Sequence, residues 1–251
     1  MKRPYTGYIR ELFTYSTYLF RPKRNPRKKF IIFTFGRSGS NLLVSLLNAH
    51  PLIQCDNELL WKRVLFPWRY IQCREKLSMK DVYGFKLLSS HFELQKINDP
   101  QEFVNRLSFA GYQIISLKRR NSVRQAISHL YASYRGKFHH FVEQGEQNFV
   151  TMRLDPAKLG QELEWVDRLH ALEDRVLQNL PYLRLYYEDD LCDASHQQLA
   201  VDRISAYLGI PSASIGTNLQ KTTPDDLASI IENYDEIKSF IQGTKYAEFP
   251  L

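Results

Sequence analysis

Arg37 stands in a short loop with Gly36, Ser38, Gly39, Ser40 and Asn41, between an apolar run and a leucine-rich segment. Arginine is a fixed cation, serine hydroxyls donate hydrogen bonds, and glycines let a backbone approach a ligand closely. Residues 30–35 are apolar and rich in β-branched and aromatic side chains, the composition of a buried parallel strand. Leu42, Leu43, Leu46 and Leu47 recur at helical spacing, so a helix is expected to start directly behind the loop. Its free N–H groups and positive dipole end would then face the loop. Such a loop is an anion site, and phosphate is its usual occupant.

A second basic constellation lies further along. Residues 112–117 read as another strand and lead into Lys118, Arg119 and Arg120; Ser128 follows eight residues after Arg120 in a helical pattern. Arginine can grip a phosphate bidentately. A serine about two turns along the helix can reach the same anion if the chain folds back at the strand end. Without the first loop, the three cations would read as a solvated cluster. A third strand-like run, residues 183–187, ends in Tyr187-Glu188-Asp189-Asp190-Leu191.

The loop is not a nucleoside-triphosphate P-loop, G-x-x-x-x-G-K-S/T. Its glycines are three apart, and no Lys-Ser/Thr pair follows Gly39. It resembles instead the 5′-phosphosulfate loop of sulfotransferases that use 3′-phosphoadenosine 5′-phosphosulfate (PAPS). The variant with Arg at position 37 resembles a bacterial carbohydrate-type branch. In that family an Arg at a strand end and a Ser eight residues on hold the 3′-phosphate, and Arg120 and Ser128 match this spacing. Residues 183–191 resemble the family's strand followed by Y-E-D-L, with one extra Asp. Residues 199–211 and 221–237 resemble its later helices. The resemblance spans about residues 30–240 and implies sulfuryl transfer from PAPS to an acceptor hydroxyl, with PAP as product and no metal. Gly36, Arg37, Ser38, Gly39, Ser40 and Asn41 would hold the 5′-phosphate and stabilise charge on the leaving oxygen; Arg120 and Ser128 would hold the 3′-phosphate.

An acceptor hydroxyl also needs a general base, and two residues qualify. Glu58 falls where the resembled branch places its acidic base, and a carboxylate works if partial burial raises its pKa toward neutrality. His91 follows a strand end at residues 83–88. In small-molecule sulfotransferases a Lys and a His two residues apart act near such a strand; Lys86 and His91 are five apart here. Lys86 is a candidate for bridging the phosphosulfate. Glu58 also reads as a surface carboxylate or cap, and His91 as a loop residue. His139 and His140 read as loop residues in a polar, aromatic stretch at 136–151.

Strands alternating with helices are expected to give one P-loop-like α/β domain of three layers. A central, mostly parallel sheet is flanked by helices, with the ligand at the C-terminal ends of the strands. His50-Pro51 closes the first helix. Asp99 caps a helix with Pro100 at its first position, and Gly111 closes it. Residues 159–180 are an amphipathic helix, and Thr223 with Pro224 is expected to start the last one. Residues 1–29 are expected to form an N-terminal extension, with the sulfotransferase domain over 30–251.

The 251-residue chain with 43% apolar residues suits one sizeable core. A net charge of +7 and pI near 9.2 point to an anionic ligand or partner. Zinc-finger spacing, RNP aromatics and helix-turn-helix signatures are missing, so nucleic acid is not expected. Cys55, Cys73 and Cys192 are isolated, which suits a reducing, cytoplasmic setting without disulfides. No signal-peptide h-region and no membrane-spanning run is read. Residues 4–20 are aromatic and amphipathic and precede the basic run at 21–29; this segment is read as a helix packed on the domain, with contact to an anionic membrane as the sharper alternative. Two other function classes remain: a P-loop kinase-like phosphoryl transferase, and a non-enzymatic basic protein binding membranes or polyanions. The expected acceptor is a sugar or glycolipid, with lipid and small natural-product hydroxyls left open; Trp61, Phe66, Trp68 and Tyr70 are candidates to stack on a sugar or line an apolar pocket. The oligomeric state is not legible.

Overall fold

The computed structural model describes residues 6–136, 149–217 and 223–251. The parallel sheet is built from β1 (Lys28–Thr34), β2 (Ile53–Glu58), β3 (Val82–Leu88), β4 (Tyr112–Lys118) and β5 (Tyr182–Tyr186). Their order is β2-β3-β1-β4-β5, and every pairing is parallel. β1 is central because its run from Phe30 to Phe33 is fully buried on both faces, as a strand covered by helices on both sides requires. β3 is buried along its whole length, Lys86 included. Gly84 is needed there: a Cβ at that position would lie 2.3 Å from the Phe30 ring on the neighbouring strand.

One face of the sheet is covered by α2 (Ser40–Ala49) and α9 (Ala194–Leu208), which close a core with Phe30, Ile32, Ile115 and Leu117. The other face meets α3 (Pro67–Lys76), α5 (Pro100–Phe109) and the C-terminal half of α7 (Pro156–Leu177) around Ile31, Phe33, Phe85 and Ile114. The N-terminal half of α7 packs with α6 (Ser122–Arg135) and α10 (Tyr234–Gln242) around Phe35. This is the expected three-layer α/β architecture. The caps expected for α5 are present: Asp99 accepts the Glu102 N–H, and Gly111 follows the helix in the left-handed conformation (φ 89°).

Three local expectations need correction. β2 has no counterpart in the sequence reading, because its burial alternates through polar residues and only Ile53 and Cys55 are fully buried. Residues 223–233 form turns and an isolated bridge between Ile231 and Met152, so the last helix starts at Tyr234 and not at Pro224. Asp226 serves this turn by accepting the Ala228 N–H, while Leu227, Ile230 and Ile231 go into the core. Tyr70 is core and not surface: it is 1% exposed. His139, His140 and the start of the 221–237 stretch lie outside the described residues.

At the N-terminus, α1 (Thr6–Phe20) packs on α3. The buried Glu11 carboxylate accepts the Leu65 and Phe66 backbone N–H groups at 2.7 and 2.9 Å and the Tyr15 hydroxyl at 2.7 Å. The α1 backbone comes so close to Arg63 that a Cβ on Gly7 would lie 2.0 Å from its carbonyl oxygen. The expected boundary at 29/30 falls inside β1. No helix among the described residues is long and apolar enough to cross a membrane.

Candidate active site

The loop after β1 sits at the sheet's centre, where the neighbouring strand ends converge on it. Its turn is made by two left-handed residues, Arg37 (φ 64°) and Gly39 (φ 81°). Arg37 carries the strain of a non-glycine residue there, and such strain persists where the surroundings fix it. Thr34 is one fixing point: its hydroxyl donates to the Leu117 carbonyl at 2.6 Å and lies 2.7 Å from Ser38 Oγ. Ser38 Oγ also donates to the Phe35 carbonyl at 2.9 Å. The Ser38 hydroxyl therefore holds the loop together. Gln125 Nε2 donates to the Gly36 carbonyl at 2.7 Å. At Gly39 a Cβ would lie 2.5 Å from the Tyr187 ring, whereas at Gly36 it would meet nothing within 4 Å. Gly36 thus borders open space and Gly39 a wall.

Two largely buried guanidinium groups flank the loop. Arg37 Nε donates to Ser128 Oγ at 3.0 Å, and Ser128 Oγ lies 2.9 Å from Thr223 Oγ1. Arg119 donates to the Arg37 carbonyl at 3.3 Å and lies over the Tyr187 ring, 4.9 Å from its centroid. Burial and the facing Arg119 charge pull the Arg37 guanidinium down to about 10. Arg120, the expected 3′-phosphate residue, points elsewhere. Its side chain is half exposed, pairs with Asp189 and stacks on Tyr186. Its backbone N–H and that of Asn121 donate to Glu188 at 3.0 and 3.1 Å, which gives Glu188 a structural task at the start of α6.

The acid–base cluster forms on the other side of β1. Asp56 in β2 faces α3, where it accepts from Arg74 (2.9 and 3.0 Å) and from the Tyr83 hydroxyl (2.8 Å). Glu58, two residues on, would share that face in a regular strand. A register shift between Asp56 and Glu58 turns Glu58 to face Lys86 instead. Glu58 Oε1 lies 3.0 Å from Lys86 Nζ, and Lys86 Nζ also donates to Asn41 Oδ1 on α2. His91 Nδ1 accepts the Leu88 N–H at 3.2 Å, so the neutral ring carries its proton on Nε2, which faces Glu58 Oε2 at 3.9 Å. That distance is too long for a hydrogen bond. Burial holds His91 below its ordinary value and therefore neutral at pH 7.

The expectation that burial raises Glu58 is overturned. Burial does push the carboxyl up, but the His91 N–H and the Lys86 ammonium more than offset it and hold Glu58 down at about 2. With Lys86 in contact and His91 at 3.9 Å and neutral, the ammonium is the larger of these two opposing influences. Burial in turn pulls Lys86 down, and Glu58 supports its charge.

No protein-family model and no curated protein matches the chain. Among solved structures it is similar to a sulfotransferase from Alicyclobacillus acidocaldarius, at 12% identity over 87% of this chain and 95% of that chain, with a TM-score of 0.49. It is also similar to mouse sulfotransferase SULT7A1 complexed with PAP, at 15% identity over 90% of this chain and 71% of that chain, with a TM-score of 0.44.

The residues fit an anionic, phosphate-bearing group on a specific observation. Arg119 Nε is buried with no hydrogen-bond partner, and its guanidinium stands beside a second one. The carboxylate facing it, Glu188, is 4.0 Å away and committed to backbone amides. A buried unsatisfied donor next to a like charge is costly, and a bound anion relieves both terms.

The structure brings Arg37, Ser128, Asn41, Lys86, Glu58 and His91 to the ends of β1, β2 and β3 and the facing helices. The sequence reading gave no site role to Arg119, Thr34 or Thr223. Arg119 and Arg120 look alike in sequence, and strand alternation is the signal that separates them. Of the aromatic group after β2, Trp61 and Phe66 are exposed, while Trp68 is partly buried under Arg106, 4.1 Å from the Trp68 centroid.

Proposed function

We propose that this protein is a PAPS-dependent sulfotransferase that moves a sulfuryl group to an acceptor hydroxyl on a carbohydrate or glycolipid. One observation carries the reading: the ammonium that contacts Asn41 behind the anion loop is the same one that Glu58 holds at 3.0 Å. A phosphate-type loop and a one-third exposed carboxylate thus share a single cation. PAPS, when bound, supplies the activated sulfuryl group. The loop amides, Arg37 and Lys86 stabilise negative charge on the leaving phosphate oxygen, a role in which loss of one donor costs on the order of 10²–10³ in rate. Glu58 takes the proton of the acceptor hydroxyl. It is ionised in the resting site, and its basicity rises as Lys86 turns its charge toward a bound anion. His91 donates its Nε2 proton toward Glu58 or the acceptor oxygen and orients either.

Titration calorimetry with PAP, and with ATP beside it, tests the cofactor half. Micromolar PAP binding that Arg37→Ala abolishes, with little ATP binding, is the expected result. Well-folded protein that binds no PAP overturns the reading, and preferential ATP binding favours a phosphoryl transferase. Transfer of labelled sulfate to a panel of glycans, glycolipids and phenols, with Glu58→Gln as control, tests the acceptor half.

A further inference from the structure

Helix α1 has two unlike faces. The inner face, with Gly7, Glu11 and Thr14, is buried against the domain. On the outer face Ile9, Leu12, Phe13, Leu19 and Phe20 are 64%, 67%, 73%, 69% and 87% exposed. At about 100° per residue these five side chains fall in an arc of roughly 120°, interrupted only by Ser16. Beside α1, where Glu11 receives their amides, Leu65 and Phe66 are a further 63% and 60% exposed. A contiguous apolar surface of this kind marks an interaction site.

The chain that follows α1 says what covers it. Residues 21–29 hold six Lys/Arg and no acid. Lys29 pairs with Glu75 at 3.3 Å; Arg21, Lys23, Arg24, Arg27 and Lys28 are exposed, and of these five only Arg27 reaches a carboxylate among the described residues, the exposed Asp81 at 3.9 Å. The half-buried Tyr8 and Tyr15 border the apolar arc along one side. An apolar helical face bordered by tyrosines and adjoining unneutralised cations matches the interface between acyl chains and anionic headgroups.

We propose that the outer face of α1 and the 21–29 segment dock this protein on an anionic lipid bilayer, with α1 lying in the interfacial plane. The apolar face enters the acyl boundary while Arg21, Lys23 and Arg27 engage the headgroups.

Vesicle flotation of the full chain tests this, using equimolar phosphatidylglycerol and phosphatidylcholine against phosphatidylcholine alone. The expected result is binding to the anionic vesicles that weakens as salt rises. Leu12→Glu with Phe13→Glu, and separately Arg21→Ser with Lys23→Ser and Arg27→Ser, should each lower the partition coefficient roughly tenfold or more. Both variants should stay within a few degrees of the wild-type melting temperature and keep its PAP affinity, because neither set contacts Gly7, Glu11, Thr14 or the anion loop and the second loses only the stacking of Lys23 on Tyr18. Absence of binding to anionic vesicles overturns the proposal, as does equal binding to both vesicle types. A concentration-dependent dimer in sedimentation that Leu12→Glu with Phe13→Glu dissolves, without vesicle binding, overturns it in favour of a second copy of the chain. PAP binding reads out independently, so failure here and failure of the sulfotransferase reading are distinct.

Discussion

Lys86 Nζ lies 3.0 Å from Glu58 Oε1 and at the same time donates to Asn41 Oδ1, so one buried ammonium joins the edge strand β2 to the helix behind the anion loop. Lys86 is 1% exposed, and its charge is tolerated there because both partners face it.

That pairing sets a pH dependence. Glu58 must be ionised to accept a proton, and with its carboxyl held at about 2 the acid limb of the rate lies well below neutrality. Lys86→Met removes the stabilising charge while burial continues to push the carboxyl up. The acid limb of kcat/KM should therefore move upward toward or past the ordinary 4.5, in addition to a loss of rate. A pH–rate profile of transfer checks this; an unmoved limb argues that Glu58 is not the base.

Arg119 and Arg120 should separate in binding. Arg119→Ala deletes a buried guanidinium beside Arg37 and should weaken PAP roughly 10- to 100-fold by calorimetry. Arg120 is turned to Asp189 and should matter less. A larger loss for Arg120→Ala would mean that this side chain leaves Asp189 to meet the ligand.

The two loop glycines should also behave differently. Gly39→Ala places a Cβ at φ 81° and 2.5 Å from the Tyr187 ring. It should cost about 1–3 kcal/mol of stability and lower the melting temperature. Gly36→Ala meets open space. It should leave the melting temperature nearly unchanged and weaken PAP binding, because the methyl occupies room beside the loop.

Glu173 on α7 gives a stability signature. It is 1% exposed, accepts the Ser89 hydroxyl at 3.1 Å, and burial pushes its carboxyl from 4.5 up to about 8. The folded chain then holds a proton that the unfolded chain has lost, so stability should fall as pH rises from about 4.5 to about 8. Glu173→Gln should flatten that slope in melting curves recorded across this range.

Glu11→Ala should destabilise by about 1–3 kcal/mol, since it removes the acceptor of the Leu65 and Phe66 amides and of the Tyr15 hydroxyl. Denaturant unfolding reads the loss.

Much of this was legible in sequence because the signals were local. The apolar run before Gly36, the leucines of α2, the Asp99-Pro100 cap and the α7 periodicity each point to one conformation. The spacing of a resembled motif paired Ser128 with Arg120, whereas the structure hydrogen-bonds Ser128 to Arg37, 91 positions away, and turns Arg120 to Asp189. What stayed hidden depends on pairing. β2 is an edge strand whose polar residues mask its alternation, and its register shift, which decides where Glu58 points, leaves no local trace. Arg119 and Arg120 are chemically identical neighbours, and only the twofold alternation of a strand end decides which is buried. The downward pull on Glu58 needs Lys86 within contact distance, a fact of the β2–β3 register. The turn at 223–233 had good helix-start residues, but Leu227, Ile230 and Ile231 are drawn into a core that needs them at other angles.

The sheet order has a kinetic consequence. Arg37, Glu58, Lys86 and Arg119 come from four different strand ends, and none of the parallel pairings between those strands is local in sequence. Parallel pairings of this kind pay their loop-closure entropy before any contact rewards it, so they form late. No short fragment of this chain can carry a working anion site. Ligand affinity becomes a reporter of completed folding, and a bound anion should slow amide exchange in β1, β3 and β4 together, because opening any one of them dismantles the site.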